Sequence, residues 1–350
     1  MKNARPPRKP LSIASDSLDD GSAAGRMSIT ILNPLPQALL HFENELLDCM
    51  GDSVSPIRKA IPCEGHRKLA KLCALGRYLA AALNPLDRTC VIVLWPVLGW
   101  LDIILWSVWR GESAHLIVHD PVPLRRQPGM GRAAQRLAKA WLRYRRPTVV
   151  VLSEEAGEEM RRLVGTECRL HVLPHPIKAP TYHLPEPQDR GLARHVLVAG
   201  QYKPARHLGL LTELAARLPE IGLSLRVRGR GWPKIDGGDV ESTFLSEAEL
   251  DDELRSARCV ILPYRHYFQS GIAVRAVELG TPVIGQHNTF LTSLAVGDSI
   301  TIVESETVDA WLQAISHTDS TEGWFSIESL HTHVAEQWQA FLTQAEERKK

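Results

Sequence analysis

The stretch HVLVAGQYKPARHLGLL, residues 195–211, places a short apolar run, a glycine, a basic loop and a second apolar segment in sequence. The first run is continuously apolar rather than alternating, as expected of a strand covered on both faces of a parallel sheet. Apolar residues then recur at helical spacing over Leu208–Leu218. The stretch therefore predicts a strand, a tight turn and a helix, which is the repeating unit of an α/β domain.

The same alternation extends in both directions and forms two series. Each predicted strand is short and apolar, and each is separated from the next by a longer segment, in most cases of helical pattern. The first series is Ser28–Leu32, Val91–Leu94, His115–Val118, Thr148–Leu152 and Arg169–Leu173; the second is His195–Val198, Ser224–Val227, Ser242–Phe244, Cys259–Leu262, Thr281–Ile284 and Ser299–Val303. Two doubly wound α/β domains with a cleft between them follow, and ligands are expected beyond the carboxyl ends of the strands.

A proline-rich segment, PHPIKAPTYHLPEP at 174–187, separates the two series. Its prolines cannot continue a helix or a central strand, so it is the predicted linker. The expected domains are 27–185 and 186–322. Residues 1–26 lack an apolar core and are expected to be a disordered extension rather than a signal peptide. Residues 323–350 are expected to form a helix that packs on the outside, followed by a tail.

Size and composition narrow the class of protein. A chain of 350 residues is long enough for two domains, and a net charge of +1 excludes a generic polyanion binder. The six cysteines are scattered singly, which argues against a zinc site or a disulfide framework and fits a reducing cytoplasm. The apolar stretch Val91–Trp109 is interrupted by Pro96, Gly99 and Asp102. It therefore predicts a buried strand followed by an apolar helix rather than a transmembrane span.

Three further motifs follow the opening stretch in order: LSLRVRGRGWP (223–233), FLSEAELDDELRSARCVILPYR (244–265) and SGIAVRAVELGTPVIG (270–285). Together the four resemble the donor-nucleotide domain of GT-B glycosyltransferases, especially the large retaining group with a G-R-x(4)-K-G, G-x-G and E-A-x(3)-G-x-P-V pattern. The resemblance covers residues 195–315. It implies two Rossmann-like domains facing across a cleft, a nucleotide-diphosphate-sugar as donor substrate, and no cofactor.

A diphosphate needs positive charge and backbone N–H groups, which arginine, lysine and a helix N-terminus supply. Arg206 falls on the family's lysine position, and Lys203 lies close enough to compensate for Gln201, where the family has arginine. Ser270 begins a predicted helix. No Asp-x-Asp pair is present at a strand end, so no metal is expected. The predicted donor-binding residues are Gly200, Lys203, Arg206, Arg230, Tyr264, Ser270, Gly271 and Glu278.

The family's two glutamates, eight positions apart, fall here on Tyr267 and Arg275. In the family the second glutamate holds the ribose hydroxyls. Glu278 lies one helical turn further on and is the candidate replacement, with a solvated helix face as its alternative. This departure leaves a retaining or an inverting mechanism open. The pattern that this chain has over Pro263–Val283 is similar to that of divergent branches of the family, which build bacterial polysaccharides.

In the first series, His119 and Asp120 close a predicted strand. The resemblance implies that His119 points into the cleft and orients a sugar hydroxyl. Asp120 would be the general base of an inverting reaction. A structural turn is the alternative interpretation of the pair.

Residues 124–146 contain eight basic and no acidic residues, with Leu137, Trp141 and Tyr144 interleaved. A solvated helix normally mixes charges of both signs, whereas an unmixed basic amphipathic helix fits an anionic membrane surface. The predicted membrane patch is Arg132, Arg136, Lys139 and Arg143. An ordinary basic surface is the alternative, and nucleic acid is not expected because no binding motif accompanies the patch.

The leading hypothesis is a cytoplasmic glycosyltransferase, peripheral on the inner face of the cell membrane, that moves a sugar to a glycan or a lipid-linked acceptor. Two alternatives stay open. One is a nucleotide-sugar 2-epimerase, which shares the double fold and needs no acceptor or membrane patch. The other is a non-catalytic partner in a polysaccharide assembly complex, which the loss of the glutamate pair favours.

Overall fold

The structure is a computed structural model that describes residues 27–63, 68–84, 89–123, 127–145, 147–179, 193–264, 267–287, 289–294, 300–318 and 326–347. The first six strands are β1 Met27–Asn33, β2 Val54–Ala60, β3 Cys90–Val93, β4 Ala114–Ile117, β5 Thr148–Val151 and β6 Arg169–Val172. The second six are β7 His195–Ala199, β8 Ser224–Arg228, β9 Asp239–Glu241, β10 Cys259–Leu262, β11 Val283–Gln286 and β12 Ile300–Val303.

Helices cover the sheets and link the strands. Those that start before the second sheet are α1 Leu40–Met50, α2 Lys68–Ala82, α3 Trp100–Arg110, α4 Arg132–Trp141 and α5 Glu154–Val164. The later ones are α6 Leu208–Arg217, α7 Glu247–Ser256, α8 Gly271–Glu278, α9 Phe290–Leu294, α10 Val308–Ser316 and α11 Ser326–Glu347.

The strands form two parallel sheets of six, with orders β2-β1-β3-β4-β5-β6 and β12-β11-β10-β7-β8-β9. Counted from its own first strand, the second sheet has the order 3-2-1-4-5-6 of a dinucleotide-binding domain. The order reverses between β1 and β3 in the first sheet and between β7 and β10 in the second. Ligands bind at such switch points, beyond the carboxyl ends of the strands. The predicted pair of doubly wound α/β domains is confirmed.

The predicted strands agree with the structure where the sequence is continuously apolar. Cys259–Leu262 matches β10, and every residue of that strand is buried. Two edge strands differ from the prediction. β2, Val54–Ala60, was missed because six of its seven residues are exposed and it contains Pro56, which only an edge strand tolerates. The strand predicted at Ser242–Phe244 lies instead at Asp239–Glu241, again on an edge.

The C-terminal helix, α11, packs on the first domain with one face buried. Trp338 on that face is fully buried, and its indole N–H donates to the carbonyl of Pro174 at 3.0 Å. Phe341 meets the rings of His115 and His171 edge-on. The chain therefore returns to the first domain at its end, and one apolar cluster runs through both domains.

The linker is only partly described. Residues 173–179 have no regular secondary structure, and Ile177 is fully buried among residues of both domains. The predicted boundary at 185/186 and the predicted disordered extension at 1–26 lie outside the described residues. Residues 91–109 divide into β3 and α3, as predicted. Among the described helices, none combines the length and the apolar character needed to cross a membrane.

We expect Trp338→Ala to lower the free energy of unfolding by about 3–5 kcal/mol, because it leaves a cavity between α11 and the first domain and removes a hydrogen bond. Urea unfolding followed by tryptophan fluorescence and circular dichroism measures the change. Glu336→Ala, an exposed position on the same helix, is the matched control and should change stability by less than about 0.5 kcal/mol. Equal effects of the two substitutions would contradict the docking of α11.

Candidate functional site

The switch point of the second sheet brings two loops together. One follows β7 and runs from Gly200 to Arg206; the other follows β10 and begins at Pro263. An isolated antiparallel bridge joins Arg206 to Tyr264, and the amide of His207 donates to the carbonyl of Pro263 at 2.7 Å. The loops are therefore fixed to each other at the place where this topology binds ligands.

Arg206 is the central side chain of this crevice. Only 6% of it is exposed, and its guanidinium lies 4.6 Å from the ring centre of Trp232 and 4.7 Å from that of Tyr264. Its Nε donates to the Tyr264 hydroxyl at 2.6 Å, and its Nη2 donates to the carbonyl of Ala199 at 2.8 Å. Its Nη1 is buried and has no hydrogen-bond partner among the described residues. A rigid cation thus keeps donor capacity that the protein itself does not use.

Two glycines let the loops after β7 and β8 approach closely. Gly200 has φ +91°, and Gly229 has φ +131°. A Cβ on Gly229 would lie 2.4 Å from the carbonyl oxygen of Gly200, so no other residue fits there without backbone movement. The same carbonyl accepts a hydrogen bond from the indole of Trp232 at 2.8 Å, which holds this ring against Arg206.

Helix α8 starts where the sequence predicts it. The hydroxyl of Ser270 accepts a hydrogen bond from the amide of Ala273 at 3.3 Å and caps the helix. Gly271, the first helical residue, is exposed. The remaining N–H groups of the first turn and the positive end of the helix dipole therefore suit an anion.

His119 follows β4 and is 1% exposed. Its Nε2 donates to the carbonyl of Leu94 at 2.8 Å, so Nδ1 carries the lone pair. Phe42 and Trp95 flank the ring, with ring centres 4.8 and 5.2 Å away. Burial lowers the pKa of His119, against the opposing effects of Gln269 and the Leu94 carbonyl. A neutral imidazole with an acceptor nitrogen results.

Asp120 lies beside His119 at the end of the same strand. Burial raises the pKa of its carboxyl to about 6, and the positive charge of Lys203, from the other domain, opposes this rise. A carboxylate with this pKa changes protonation state close to neutral pH, as a general base must. Lys203 and Asp120, two predicted site residues, are thus brought into electrostatic contact across the domains.

The loop after β10 crosses to the first domain. Phe268 is 1% exposed and belongs to the apolar core of that domain, and its carbonyl accepts a hydrogen bond from Ser153 at 3.2 Å. Gln269 interacts with both His119 and His175. Burial lowers the pKa of His175 to about 3, so it is neutral as well. Sequence patterns did not single out Gln269, because a lone glutamine in a loop carries no motif.

The positions that depart from the family pattern have structural partners. Arg275 is 7% exposed; its Nε donates to Asp251 at 2.6 Å and its other nitrogens pair with Glu247. Tyr267 is 1% exposed and stacks against Tyr264 at 5.3 Å. An arginine held in this way tethers α8 to α7.

Two other predicted donor-binding residues make their described contacts with residues other than Arg206. Arg230 is exposed, and its carbonyl accepts a hydrogen bond from the Tyr202 amide at 3.0 Å. Glu278, at the far end of α8 from Ser270, accepts hydrogen bonds from the Lys178 amide at 2.6 Å and from His41 at 2.8 Å. Their roles in donor binding stay predictions.

The predicted membrane patch is exposed along α4: Arg132, Arg136, Lys139 and Arg143. Leu137 and Tyr144 beside them are 55% and 81% exposed, and Trp109 on the neighbouring α3 is 61% exposed. Arg125, Arg126 and Arg146 lie outside the described residues. Basic and apolar side chains thus share one face of the first domain.

Comparisons with known proteins bear on the fold. No protein-family model matches the sequence, and no curated protein matches it. Sucrose-phosphate synthase from Thermosynechococcus elongatus is similar in structure, with a TM-score of 0.58 and 16% identity over 90% of this chain and 94% of that one. HepE from Anabaena, solved with UDP and glucose, has a TM-score of 0.55 and 14% identity over 91% of this chain and 95% of its own.

WaaG, a glycosyltransferase involved in lipopolysaccharide biosynthesis, has a TM-score of 0.53 and 14% identity over 90% of this chain and 94% of that one. At these identities the likeness concerns architecture. It extends over 90–91% of this chain and therefore includes both of the parallel six-stranded sheets described above. The chain has the GT-B fold.

Proposed function

We propose that the chain transfers a sugar from a nucleotide-diphosphate-sugar to a glycan or lipid-linked acceptor, in bacterial polysaccharide or glycolipid synthesis. The observation that carries the proposal is Arg206, a rigid buried cation at the switch point whose Nη1 has no hydrogen-bond partner among the described residues. HepE, solved with UDP-glucose, supports the inclusion of uridine nucleotides among the candidate donors.

Donor binding follows from the groups around the crevice. Arg206 and the N-terminus of α8 supply positive charge and backbone donors to the diphosphate, and Lys203 adds a second cation. When the bond from the sugar carbon to the diphosphate oxygen breaks, its electron pair leaves with that oxygen. The same cations then stabilise the added negative charge, which lowers the barrier to the reaction.

On the acceptor side, Asp120 takes the proton of the attacking hydroxyl as the new glycosidic bond forms. Direct displacement of this kind inverts the configuration at the sugar carbon. His119 accepts a hydrogen bond from a sugar hydroxyl through Nδ1, since Nε2 is engaged with the Leu94 carbonyl. Gln269 lies beside His119 and joins the two domains at this point.

A lipid-linked acceptor accounts for the surface of α4. Exposed arginines attract anionic headgroups, and exposed Leu137 and Tyr144 enter the interface beside them. We place the protein in the cytoplasm, peripheral on the inner face of the cell membrane, with this surface against the lipid.

Arg206→Ala should weaken nucleotide-diphosphate-sugar binding ~10- to 100-fold, the range expected for the loss of a charge-assisted hydrogen bond. Calorimetric titration with UDP-, GDP- and dTDP-sugars measures this, and the thermal unfolding midpoint checks that the variant is folded. Arg217→Ala, on the outer helix α6, is the control and should bind as the parent does. Undiminished binding in the Arg206 variant rejects its role, whereas no binding of any donor to the parent rejects the function.

The rate of donor turnover should rise with pH through about 6, because Asp120 must lose its proton to act as a base. Release of nucleoside diphosphate from the bound donor, measured against pH, tests this. Asp120→Asn should reduce turnover by ~10²–10⁴-fold.

Lys203→Met should move the acidic limb of the pH profile to higher pH, because the cation that opposes the raised pKa of Asp120 is removed. If the acidic limb of the pH profile stays in place in the Lys203 variant, the electrostatic interaction between Lys203 and Asp120 is contradicted.

Neutralising two patch residues, Arg136→Gln with Arg143→Gln, should weaken binding to vesicles containing phosphatidylglycerol by roughly 30-fold, at about 1 kcal/mol per basic residue. Co-sedimentation measures it, with phosphatidylcholine vesicles as the uncharged reference. Arg217→Gln with Arg255→Gln removes the same charge from the second domain and should leave binding unchanged. Equal losses in the two variants would reflect net charge and reject a membrane patch on α4.

A further inference from the structure

A buried cluster of one imidazole and two carboxylates joins the two domains. His41 and Glu45 lie four residues apart on one face of α1, and Glu278 is the last residue of α8. The Nε2 atom of His41 lies 3.1 Å from a Glu45 oxygen and 2.8 Å from a Glu278 oxygen. One donor atom from each residue lies within 4.8 Å of the other two.

Glu45 is the unusual member. Its side chain is 1% exposed, and neither of its oxygens has a hydrogen-bond partner among the described residues. The nearest basic nitrogens are His41 Nε2 at 3.1 Å and His175 Nδ1 at 3.8 Å, and the latter is engaged with the Pro176 carbonyl at 2.7 Å. A buried carboxylate that shares a single imidazole with a second carboxylate is poorly compensated. Burial accordingly raises the pKa of the Glu45 carboxyl, so its charged form calls for further positive charge.

From this geometry we propose that His41, Glu45 and Glu278 bind a divalent cation of the zinc class, which bridges the two domains. Zinc accepts imidazole and carboxylate ligands, and a site with three protein ligands leaves the fourth position for water. Ligand atoms around such an ion are ~3.3 Å apart at tetrahedral angles, so the two short pairs need to open by a few tenths of an ångström. The singly scattered cysteines argued against a zinc site and no metal was expected from the sequence, but the present cluster uses no thiolate and its three ligands come from two distant segments.

The surroundings support the same assignment. The second oxygen of Glu278 accepts a hydrogen bond from the Lys178 amide at 2.6 Å, which orients its carboxylate as an outer partner of a metal ligand does. The His41 side chain is 32% exposed, so an ion has a path from solvent. The eight residues of α8 span ~12 Å, which separates the cluster from the anion-binding start of that helix. The inference therefore does not depend on sugar transfer.

Cobalt is the probe, because tetrahedral Co²⁺ with nitrogen and oxygen ligands has visible absorption bands that report coordination directly. We expect the full chain to bind one equivalent of Co²⁺, to lose the bands when Zn²⁺ is added, and to show no thiolate-to-cobalt charge-transfer band. Mg²⁺ and Ca²⁺ should not compete, because both prefer all-oxygen sites. Absent bands, or a thiolate band, would overturn the proposal.

Two variants from different domains locate the site. His41→Ala and Glu278→Gln should each weaken Co²⁺ binding at least about 100-fold, more than the 10- to 100-fold typical of an outer partner. His333→Ala, an exposed histidine on α11, is the control and should bind normally. Circular dichroism confirms folding of each variant. Binding that survives Glu278→Gln would place the ion on α1 alone and refute the bridge between domains.

Discussion

Each sheet of this protein is parallel and covered on both faces, so its strands leave almost no room for polar chemistry along their length. Every residue of β3, β4, β5, β7 and β10 is buried. Polar side chains that could contact a ligand are therefore expected in the loops at the strand ends. Arg206 and His119 both follow this constraint, one in each domain, although they are far apart in the sequence.

Burial also restricts the motion of Arg206, the central side chain of the candidate site. Arg206 is held between two aromatic rings and by two hydrogen bonds, so little conformational entropy remains to be lost on binding an anion. The Trp232 indole donates a hydrogen bond to the Gly200 carbonyl. This carbonyl lies so close to residue 229 that only glycine fits there. The position of Arg206 thus depends on contacts with the loops that follow β7, β8 and β10. Gly200 and Gly229 therefore help to position Arg206, in addition to any contact that they make with a phosphate.

The sequence was informative wherever one physical signal dominated. Apolar continuity located the buried strands to within two residues, and the serine cap located the start of α8. It missed β2, where a polar edge carries no such signal, and it did not indicate that α11 packs on the first domain, whose residues are far away in the sequence. Trp232 and Gln269 were missed for the same reason: their roles depend on contacts between loops that sequence spacing does not encode.

The departures from the family pattern also have a physical explanation. Arg275 stands where a carboxylate is expected, and Asp251 and Glu247 from α7 surround it. Replacing only the arginine by glutamate would put a third carboxylate beside Asp251 and Glu247 in place of the cation that pairs with both, which is unfavourable. Arg275 therefore matches the acidic residues of α7, and the two helices share an ion network.

The contacts between the domains are of two kinds, and their difference bears on how the cleft moves. One kind is polar: Ser153 donates a hydrogen bond to the carbonyl of Phe268, and His41 pairs with Glu278. Water can replace such hydrogen bonds at modest net cost. At α11 the contact is apolar and includes the fully buried Trp338, whose exposure costs more. Separating the two domains would therefore cost most at the apolar contacts, which are those of α11 and of Phe268 in the core of the first domain.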